Sequence, residues 1–563
     1  SKYNSNRKQS NCSWWAGGLV GFQSTATSYV PIISNSYATG NVTGASQVGG
    51  LVGDQEKGTI SNAYATGNVT GTGTGSSIGG LVGRQQNTAS SISQSYATGT
   101  VSGKWSIGGL VGAQINGSIS ESYATGAVTG WHAGGLVGMQ TQGSISNVYA
   151  TGSVTGVDNA SAYGVGGLVG NQQGGSISNA YATGKVTGVG ANAKAGGLLG
   201  QREGASPTGT IANSYWDKET TTQTISANSG ATSKTTVEMK QADTFTGWSI
   251  DSAGGDGGKT WRIYEDHTSP LLKVFLKPLT VTATVGDNNK TYNGTNQSAT
   301  VNNYSYSTPG GTVDNSKILG FATTSNNSQR NAGSYVLAYG GGLYSIQSGY
   351  DILPNANLGM LIINKANLTS LVASRGYDGT KVVAGDKFTT IQGIGSETLT
   401  ITGNGDAANL ASKNVTNGTS VKLVSVSGLV LGNGSNGELA NNYNWSDAAL
   451  AAIGTNQISI NKAAVTLGID NVTKTYDGTT AVTNPTRKAT SGSVFGSDSI
   501  NSDGSIAFEN KNAGTTKVTV SGITINDGNN GSNYDISYAN NTASMINKAA
   551  VTLGIDNVTK TYD

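Results

Sequence analysis

The sequence holds one cysteine, Cys12, two histidines and 7 prolines in 563 residues. A single thiol excludes an internal disulfide framework and any cysteine-clustered metal site. His132 and His267 stand 135 positions apart, which excludes a histidine-pair metal site and the HExxH arrangement. Charge is equally scarce, at 11 % of residues, and 33 Lys plus Arg against 31 Asp plus Glu leave a net +2. That balance gives no electrostatic reason to expect a nucleic acid or an anionic membrane as partner. No apolar run approaches the roughly 18 to 20 residues needed to cross a bilayer, so direct membrane insertion is not expected. No starting Met, signal peptide or anchor segment is visible, and the sequence reads as cut from a longer chain. Few prolines and no three-residue glycine period exclude collagen. Low charge with regularly recurring apolar residues excludes a charge-rich disordered chain.

What is abundant is glycine, 84 residues, and it comes in a written-out repeat. G-G-L-V-G or a near copy recurs with its leucine at Leu19, Leu51, Leu81, Leu110, Leu136, Leu168 and Leu198, in steps of 26 to 32 residues. A second motif, I-S-x-x-Y-A-T-G, interleaves with it, with tyrosines Tyr37, Tyr64, Tyr96, Tyr123, Tyr149, Tyr181 and Tyr215. A short V-T/S-G piece follows each copy except the last. Seven copies at this period mean a solenoid. Helical repeats need apolar stripes at i, i+3, i+4, and these are absent. Each unit offers three short strand-like pieces, so the expected fold is all-β: a parallel β-helix with three faces, followed by tandem small β domains. Ile, Leu, Val and Tyr should form inward ladders, with Ile and Tyr both turned inward around a bend at the polar residue between them (Asn35, Asn62, Gln94, Glu121, Asn147, Asn179, Asn213). A stacked internal Asn ladder is the alternative. The glycines are expected to supply tight corners, positive φ and close approach of coils.

The repeat decays after Tyr215, and residues 216–275, rich in large apolar groups, are the expected cap on the open end of the solenoid. A short helix is expected over 235–242. Beyond it, Tyr-Asn/Asp-Gly recurs at Tyr292, Tyr377 and Tyr476, and Ile-Asn-Lys-Ala marks each join. Residues 460–477 and 546–563 are identical over 18 positions. A further tyrosine is read before each exit, at Tyr335, Tyr443 and Tyr534. The expected domains are a β-helix over 1–215, the cap over 216–275, β modules over 276–366, 367–463 and 464–549, and the start of a truncated further module over 550–563. Joins without a Pro/Gly linker favour a stiff, elongated particle.

The G-G-L-V-G units with S-I-S-N-S-Y-A-T-G resemble the GLUG motif repeats of bacterial surface proteins. The T-Y-D-G units with I-N-K-A joins resemble YDG and MBG-type β modules. The combination is similar to large secreted adhesins of the filamentous haemagglutinin class, exported by two-partner secretion. The resemblance implies an extracellular or cell-surface location and a role in cell adhesion or biofilm. The implied partners are an extracellular polysaccharide or a host glycan or protein receptor, with an outer-membrane export or anchoring partner for the full-length protein. It assigns no ligand-binding role to the motif residues.

Chemistry-bearing residues are thin. A catalytic site is not expected: Asp54, Glu56, Glu121, Asp158 and Glu203 are scattered and recur at no common coil position, whereas a β-helix polysaccharide-processing enzyme, the third functional alternative, needs acids converging on one face. No cofactor is expected beyond structural calcium, for which Asp217, Asp251 and Asp266 are the weak candidates, since no EF-hand or G-G-x-G-x-D array occurs. The Asp of Y-D-G is read as a turn residue. Carbohydrate binding has some residue support. Trp105, Trp131, His132, Trp14 and Trp15 sit between motifs of the solenoid, where aromatic faces can meet sugar rings, although His132 alone reads as a solvent-facing loop residue. The leading function is attachment by glycan or protein binding without catalysis; a purely structural stalk presenting a tip located elsewhere is the second alternative.

Overall fold

The computed structural model describes all residues except 1–3, 6–8, 13, 25–29, 75, 158–162, 204–208, 228–229, 417 and 562–563. Asp158 therefore lies outside the described residues. The chain divides into two compact units, one of residues 1–284, 302–325 and 338–358, the other of 285–301, 326–337 and 359–563. The segment expected as the first β module contributes to both.

The first unit contains a right-through stack of parallel, in-register strands. Equivalent tyrosines pair coil to coil, Tyr37 with Tyr64, Tyr64 with Tyr96, and so on to Tyr215. Each coil carries four sheets and not three faces. One runs through the Ile and Tyr strands, as in Ser144–Ala150; the next through Val-Thr-Gly, as in Val154–Gly156; the third ends at the first glycine of the pair, as in Tyr163–Gly166; the fourth holds Val-Gly-x-Gln, as in Val169–Gln172. The glycine pair itself makes the extra corner. It also parts two cores: Leu51, Val52, Ile60 and Ala65 and their counterparts form one, Val42, Val48, Val69 and Ile78 and theirs the other. Six of the seven motif leucines, from Leu51 to Leu198, are completely buried. Burying each such side chain is worth about 1.5 to 3 kcal/mol.

The bend between Ile and Tyr is real, but its consequence differs from the expectation. Asn35, Asn62, Gln94, Glu121, Asn147, Asn179 and Asn213 all have φ between 43° and 51°. One left-handed residue in a strand shifts the in–out alternation. Ile stays inside, the small residue before Tyr and the Ala after it point in, and Tyr is driven outward. Ala38, Ala65, Ala97 and Ala124 accordingly belong to the Ile–Leu core, while Tyr123, Tyr149, Tyr181 and Tyr215 belong to a separate aromatic cluster. The motif glycines before Leu-Val do not have positive φ; a methyl group on the first would meet its own corner, as at Gly134 against Val137 O, and on the second the next coil, as at Gly135 against Gly167 O. Placing valine at exposed Asn62, which has φ 49°, is expected to cost about 1 to 2 kcal/mol because a β-branched residue resists the left-handed region. Glycine there should be tolerated, and urea unfolding of both variants checks the pair.

An internal amide ladder exists, built of glutamine and not asparagine. Gln55, Gln85, Gln114, Gln140 and Gln172 are completely buried. Each lies in register with the next. Gln85 Nε2 donates to Gln55 Oε1 and Gln114 Nε2 to Gln85 Oε1, both at 3.2 Å, and Gln172 Nε2 to Gln140 Oε1 at 3.0 Å. Arg202 takes the next place and donates to Gln172 Oε1 at 2.8 Å. Stacking satisfies most of these amide groups, which would otherwise be costly to bury; the chain of bonds breaks between Gln114 and Gln140, where Gln114 Oε1 has no partner among the described residues.

After Tyr215 the chain makes one more turn. Val186 N–H donates to Thr221 O, Gly197 N–H to Ile225 O, and Thr232–Lys234 pairs with Tyr215–Asp217. Trp216 enters the Ile–Leu core across this last coil. The chain then returns along the tyrosines. Met239, Phe245, Trp248, Trp261 and Leu272 pack on Tyr123, Tyr149, Tyr181 and Tyr215. In place of the expected helix over 235–242 stand two single 3-10 turns, Glu238–Lys240 and Ala242–Thr244.

The remaining strands form small mixed sheets. In the second unit, Ser370–Gly376 pairs with Phe388–Gln392 and, in parallel, with Thr455–Asn461. Ala463–Ile469 pairs in the same way with Arg487–Ser491 and Tyr534–Tyr538. In the first unit, Lys277–Val285 runs parallel to Tyr350–Leu353 with Lys277 opposite Tyr350, as Ala463 lies opposite Tyr534. Tyr350, and not Tyr335, is thus the counterpart of Tyr443 and Tyr534. Their hydroxyls accept the same kind of bond, from the N–H of Asp314, Ile394 and Phe495. Tyr335 misleads because Gly333 precedes it, as a glycine precedes Tyr350; its hydroxyl donates locally to Asn331 O.

Candidate functional site

Outward from the solenoid stands a column of tyrosines. Successive rings from Tyr37 to Tyr181 lie 4.9 to 5.0 Å apart and within 7° of parallel. The spacing is that of neighbouring strands, so the backbone register sets it. The returning segment and the loop before Tyr350 cover one end of the column: Tyr181 Oη donates to Pro270 O at 2.8 Å and Tyr149 Oη to Gln347 Oε1 at 3.0 Å. Burial and neighbouring tyrosines raise the pKa of Tyr96 well above its ordinary value, and burial does the same at Tyr181. Tyr37, Tyr64 and Tyr96 are only partly buried. Beside them run exposed Thr39, Thr66, Thr98 and Thr125, and exposed Asn35 and Asn62. A continuous strip of hydroxyl and amide groups, one set per coil, results.

The tryptophan candidates form a second patch. Trp105 and Trp131 meet edge to face, centroids 4.4 Å apart and planes at 89°, and Lys104 Nζ lies 5.1 Å over the Trp131 ring. Two perpendicular rings do not present one flat stacking surface; Trp131 also packs against the Val core. His132 is buried rather than facing solvent, because its ring fills the space beside the next coil and its Nδ1 accepts from Gly164 N–H at 3.4 Å. Burial lowers its pKa. Trp14 is 66 % exposed, and Trp15 stacks on Phe22 at 4.9 Å.

The calcium candidates are each occupied by protein donors. Asp217 accepts from the N–H groups of Glu219 and Thr220 and from Thr236 Oγ1. Asp251 accepts from Gly254 N–H and Asp256 N–H and pairs with Lys273 Nζ at 2.7 Å. Burial alone would raise its pKa, but Lys273 and these amides outweigh that and hold it low. Asp266 accepts from Gln241 Nε2. Among the described residues no group of three or more His, Cys, Asp and Glu is placed to hold a metal ion. The solenoid acids are likewise engaged by protein donors: Asp54 by Arg84 at 2.7 Å and Gln86, Glu121 by Gln94, Glu203 by Asn171 and Gln201. His267 stacks on Tyr344. In the Y-N/D-G motifs, Asn293, Asp378 and Asp477 accept from the N–H of the threonine two positions on, and Gly294, Gly379 and Gly478 have φ of 82°, 76° and 81°. These are Asx turns.

Sequence reasoning missed a buried carboxylate in the second unit. Glu397 accepts from Tyr292 Oη at 2.6 Å, from Tyr443 Oη, and from Arg330 Nη2 at 3.1 Å. A similar arrangement is built from Asp498, whose Oδ2 accepts from Tyr377 and Tyr534 and whose Oδ1 accepts from Lys413. Each cluster brings residues of one expected β module against those of the next.

Comparison with known families places names on these repeats. Five stretches match the GLUG motif and one the YDG domain. The GLUG matches cover residues 44–70, 74–102, 103–129, 129–155 and 161–187, and the YDG match covers 461–543. Among curated proteins, the chain is similar to Halomucin of Haloquadratum walsbyi (strain DSM 16790 / HBSQ001), 35 % identical over 124 residues. That similarity covers 20 % of this chain and 1 % of the relative. GLUG coils followed by a YDG stretch make this a repeat-domain β protein, as the sequence motifs led one to expect.

Proposed function

We propose that the chain is part of a secreted bacterial adhesin of the filamentous haemagglutinin type, acting outside the cell in attachment to a surface, a host or a biofilm matrix. An extracellular polysaccharide or a host glycan or protein receptor is its partner, and an outer-membrane protein exports or anchors the full-length molecule. The observation that supports this reading most directly is the uncovered part of the tyrosine column. Tyr37 and Tyr64 repeat one partly exposed aromatic and hydroxyl-bearing unit at a 4.9 Å interval, flanked by exposed Thr39, Thr66, Asn35 and Asn62, and Tyr96 continues the stack where Phe275 begins to cover it. Weak contacts repeated on a rigid scaffold gain through effective concentration. The Trp105–Trp131 patch, with Lys104, is the second contact point in this reading. The bare stalk remains the competing function, favoured by the repeated joints between modules.

A glycan array and polysaccharide pull-down with the whole chain tests this. Saturable binding should fall by about tenfold, the equivalent of roughly 1.4 kcal/mol, in Tyr37→Ala/Tyr64→Ala or in Trp105→Ala/Trp131→Ala, with an unchanged far-UV spectrum. Absence of binding by the folded parent protein would favour the stalk.

A further inference from the structure

The two joints in the second unit share more than their carboxylate. In the first, Arg330-Asn331-Ala332 and Tyr292 face the following module. Arg330 and Tyr292 donate to Glu397, Ala332 N–H donates to Asn442 Oδ1 at 2.9 Å, and Asn442 Nδ2 donates to Asn331 Oδ1 at 3.2 Å. In the second, Lys413-Asn414-Val415 and Tyr377 do the same. Lys413 and Tyr377 reach Asp498, Val415 N–H donates to Asn533 Oδ1 at 2.8 Å, and Asn533 Nδ2 donates to Asn414 Oδ1 at 3.1 Å. Each joint therefore has a donating half, a cation-Asn-x segment plus the Y-x-G tyrosine. Each has an accepting half, an Asn-Tyr pair plus a carboxylate.

The third module repeats the donating half. Gly514 lies opposite Ile546 as Gly333 lies opposite Ile363, which puts Lys511-Asn512-Ala513 in register with Arg330-Asn331-Ala332. Tyr476 N–H donates to Asn547 O as Tyr292 N–H does to Asn364 O. Yet Tyr476 is 40 % exposed where Tyr292 and Tyr377 are each 2 % exposed. Lys511, Asn512 and Ala513 are exposed as well. Among the described residues neither Tyr476 Oη nor Lys511 Nζ meets a carboxylate.

We propose that Tyr476, Lys511, Asn512 and the Ala513 N–H form a docking surface for one further module of the same type, set in tandem and bearing an Asn-Tyr pair and a buried Asp or Glu. Three observations select this occupant over a second copy of the chain. Both accepting halves that carry a carboxylate, at Glu397 and Asp498, are already filled. The matching position before Tyr350 is Lys317, whose Nζ is spent on Ser348 O, and Gly349 stands where the asparagine should be; that site would repel a cation and offers no amide. Finally, residues 551–561 repeat the sequence of the third module's opening strand and follow directly on its last strand, Met545–Asn547.

The test extends the full chain by a copy of residues 379–463 placed after Asp563, which supplies a fourth module with its own copies of Glu397 and Asn442-Tyr443. Nitration of Tyr476 should fall by about tenfold and exchange at the Ala513 amide should slow by about tenfold. Glu397→Ala in the appended copy should reverse both. Tyr476 and Ala513 staying as open as in the parent, while the appended module protects its own core amides, would overturn the proposal. Asp498→Lys in the parent decides the matter without any added module. It should expose Tyr377 to nitration, and a still-protected Tyr377 would mean that the carboxylate does not select the partner. Sedimentation of the parent should show a monomer; a concentration-dependent dimer abolished by Tyr476→Ala would replace tandem docking with docking between chains.

Discussion

Gly135→Ala is expected to break the solenoid locally, at a cost on the order of 4 kcal/mol or more. A methyl group on Gly135 would fall inside contact distance of the Gly167 carbonyl oxygen in the next coil and 2.9 Å from Ala150 Cβ. Neither neighbour can yield separately. The coil spacing is pinned on both sides of the glycine, by Gly135 N–H to Gly166 O at 3.1 Å and Leu136 N–H to Leu168 O at 2.8 Å. Relief therefore means parting two coils, which breaks these bonds and opens the Leu136–Leu168 contact in the core. Coil-resolved hydrogen exchange is the right measurement, because repeat arrays need not unfold in one step. Protection at Leu110, Leu136 and Leu168 should drop while the second unit is unaffected. Gly257→Ala, where a methyl group meets nothing within 4 Å, is the matched control. Unchanged protection at Leu136 would show that close approach is not why the glycine pair is there.

Periodicity made the solenoid legible because a stacked coil must repeat its inward residues, and Leu51 to Leu198 do so with one spacing per turn. Orientation was harder to read. Strand alternation counts residues, and the single left-handed residue at Asn147 and its counterparts changes the count by one, which moves Tyr149 from the solenoid's interior to its outer face, where the returning segment buries it. The glutamine ladder had a visible signal, the Gln closing each L-V-G-x-Q, but a polar letter in a polar chain carries little weight until its burial is known. Four sheets were hidden because the strand before each glycine pair is as short as Ala133–Gly134. The tryptophans could be located but not oriented, since their mutual angle depends on side-chain packing across coils. The joints were illegible for a different reason. Glu397 lies 105 positions from Tyr292, and its counterpart is an Asp in an unrelated loop sequence, so neither spacing nor identity repeats.

Glu397→Ala should destabilise the second unit by about 2 to 4 kcal/mol. Two buried tyrosine hydroxyls, on Tyr292 and Tyr443, lose their acceptor, and each orphaned donor costs roughly 1 to 3 kcal/mol. The sum is held down because Tyr443 Oη keeps the bond it accepts from Ile394 N–H at 2.8 Å, and because the half-exposed Arg330 lets water approach. Acid should reproduce part of the loss. Burial by itself would raise the Glu397 pKa, but hydrogen bonds from Tyr292, Tyr443 and Arg330 outweigh it and set the folded value below the ordinary one. A carboxyl with a depressed folded value stabilises fully above its unfolded pKa of about 4.3 and loses that contribution as pH falls through the lower, folded value. Tyr292 should accordingly show exchange-coupled broadening on acidification below about pH 4. Glu397→Gln should flatten that pH dependence while keeping one acceptor oxygen, so its stability at neutral pH should lie between parent and Glu397→Ala. If Glu397→Gln matched the parent at neutral pH and still lost the joint in acid, the charge on this carboxylate would not be what holds successive modules together.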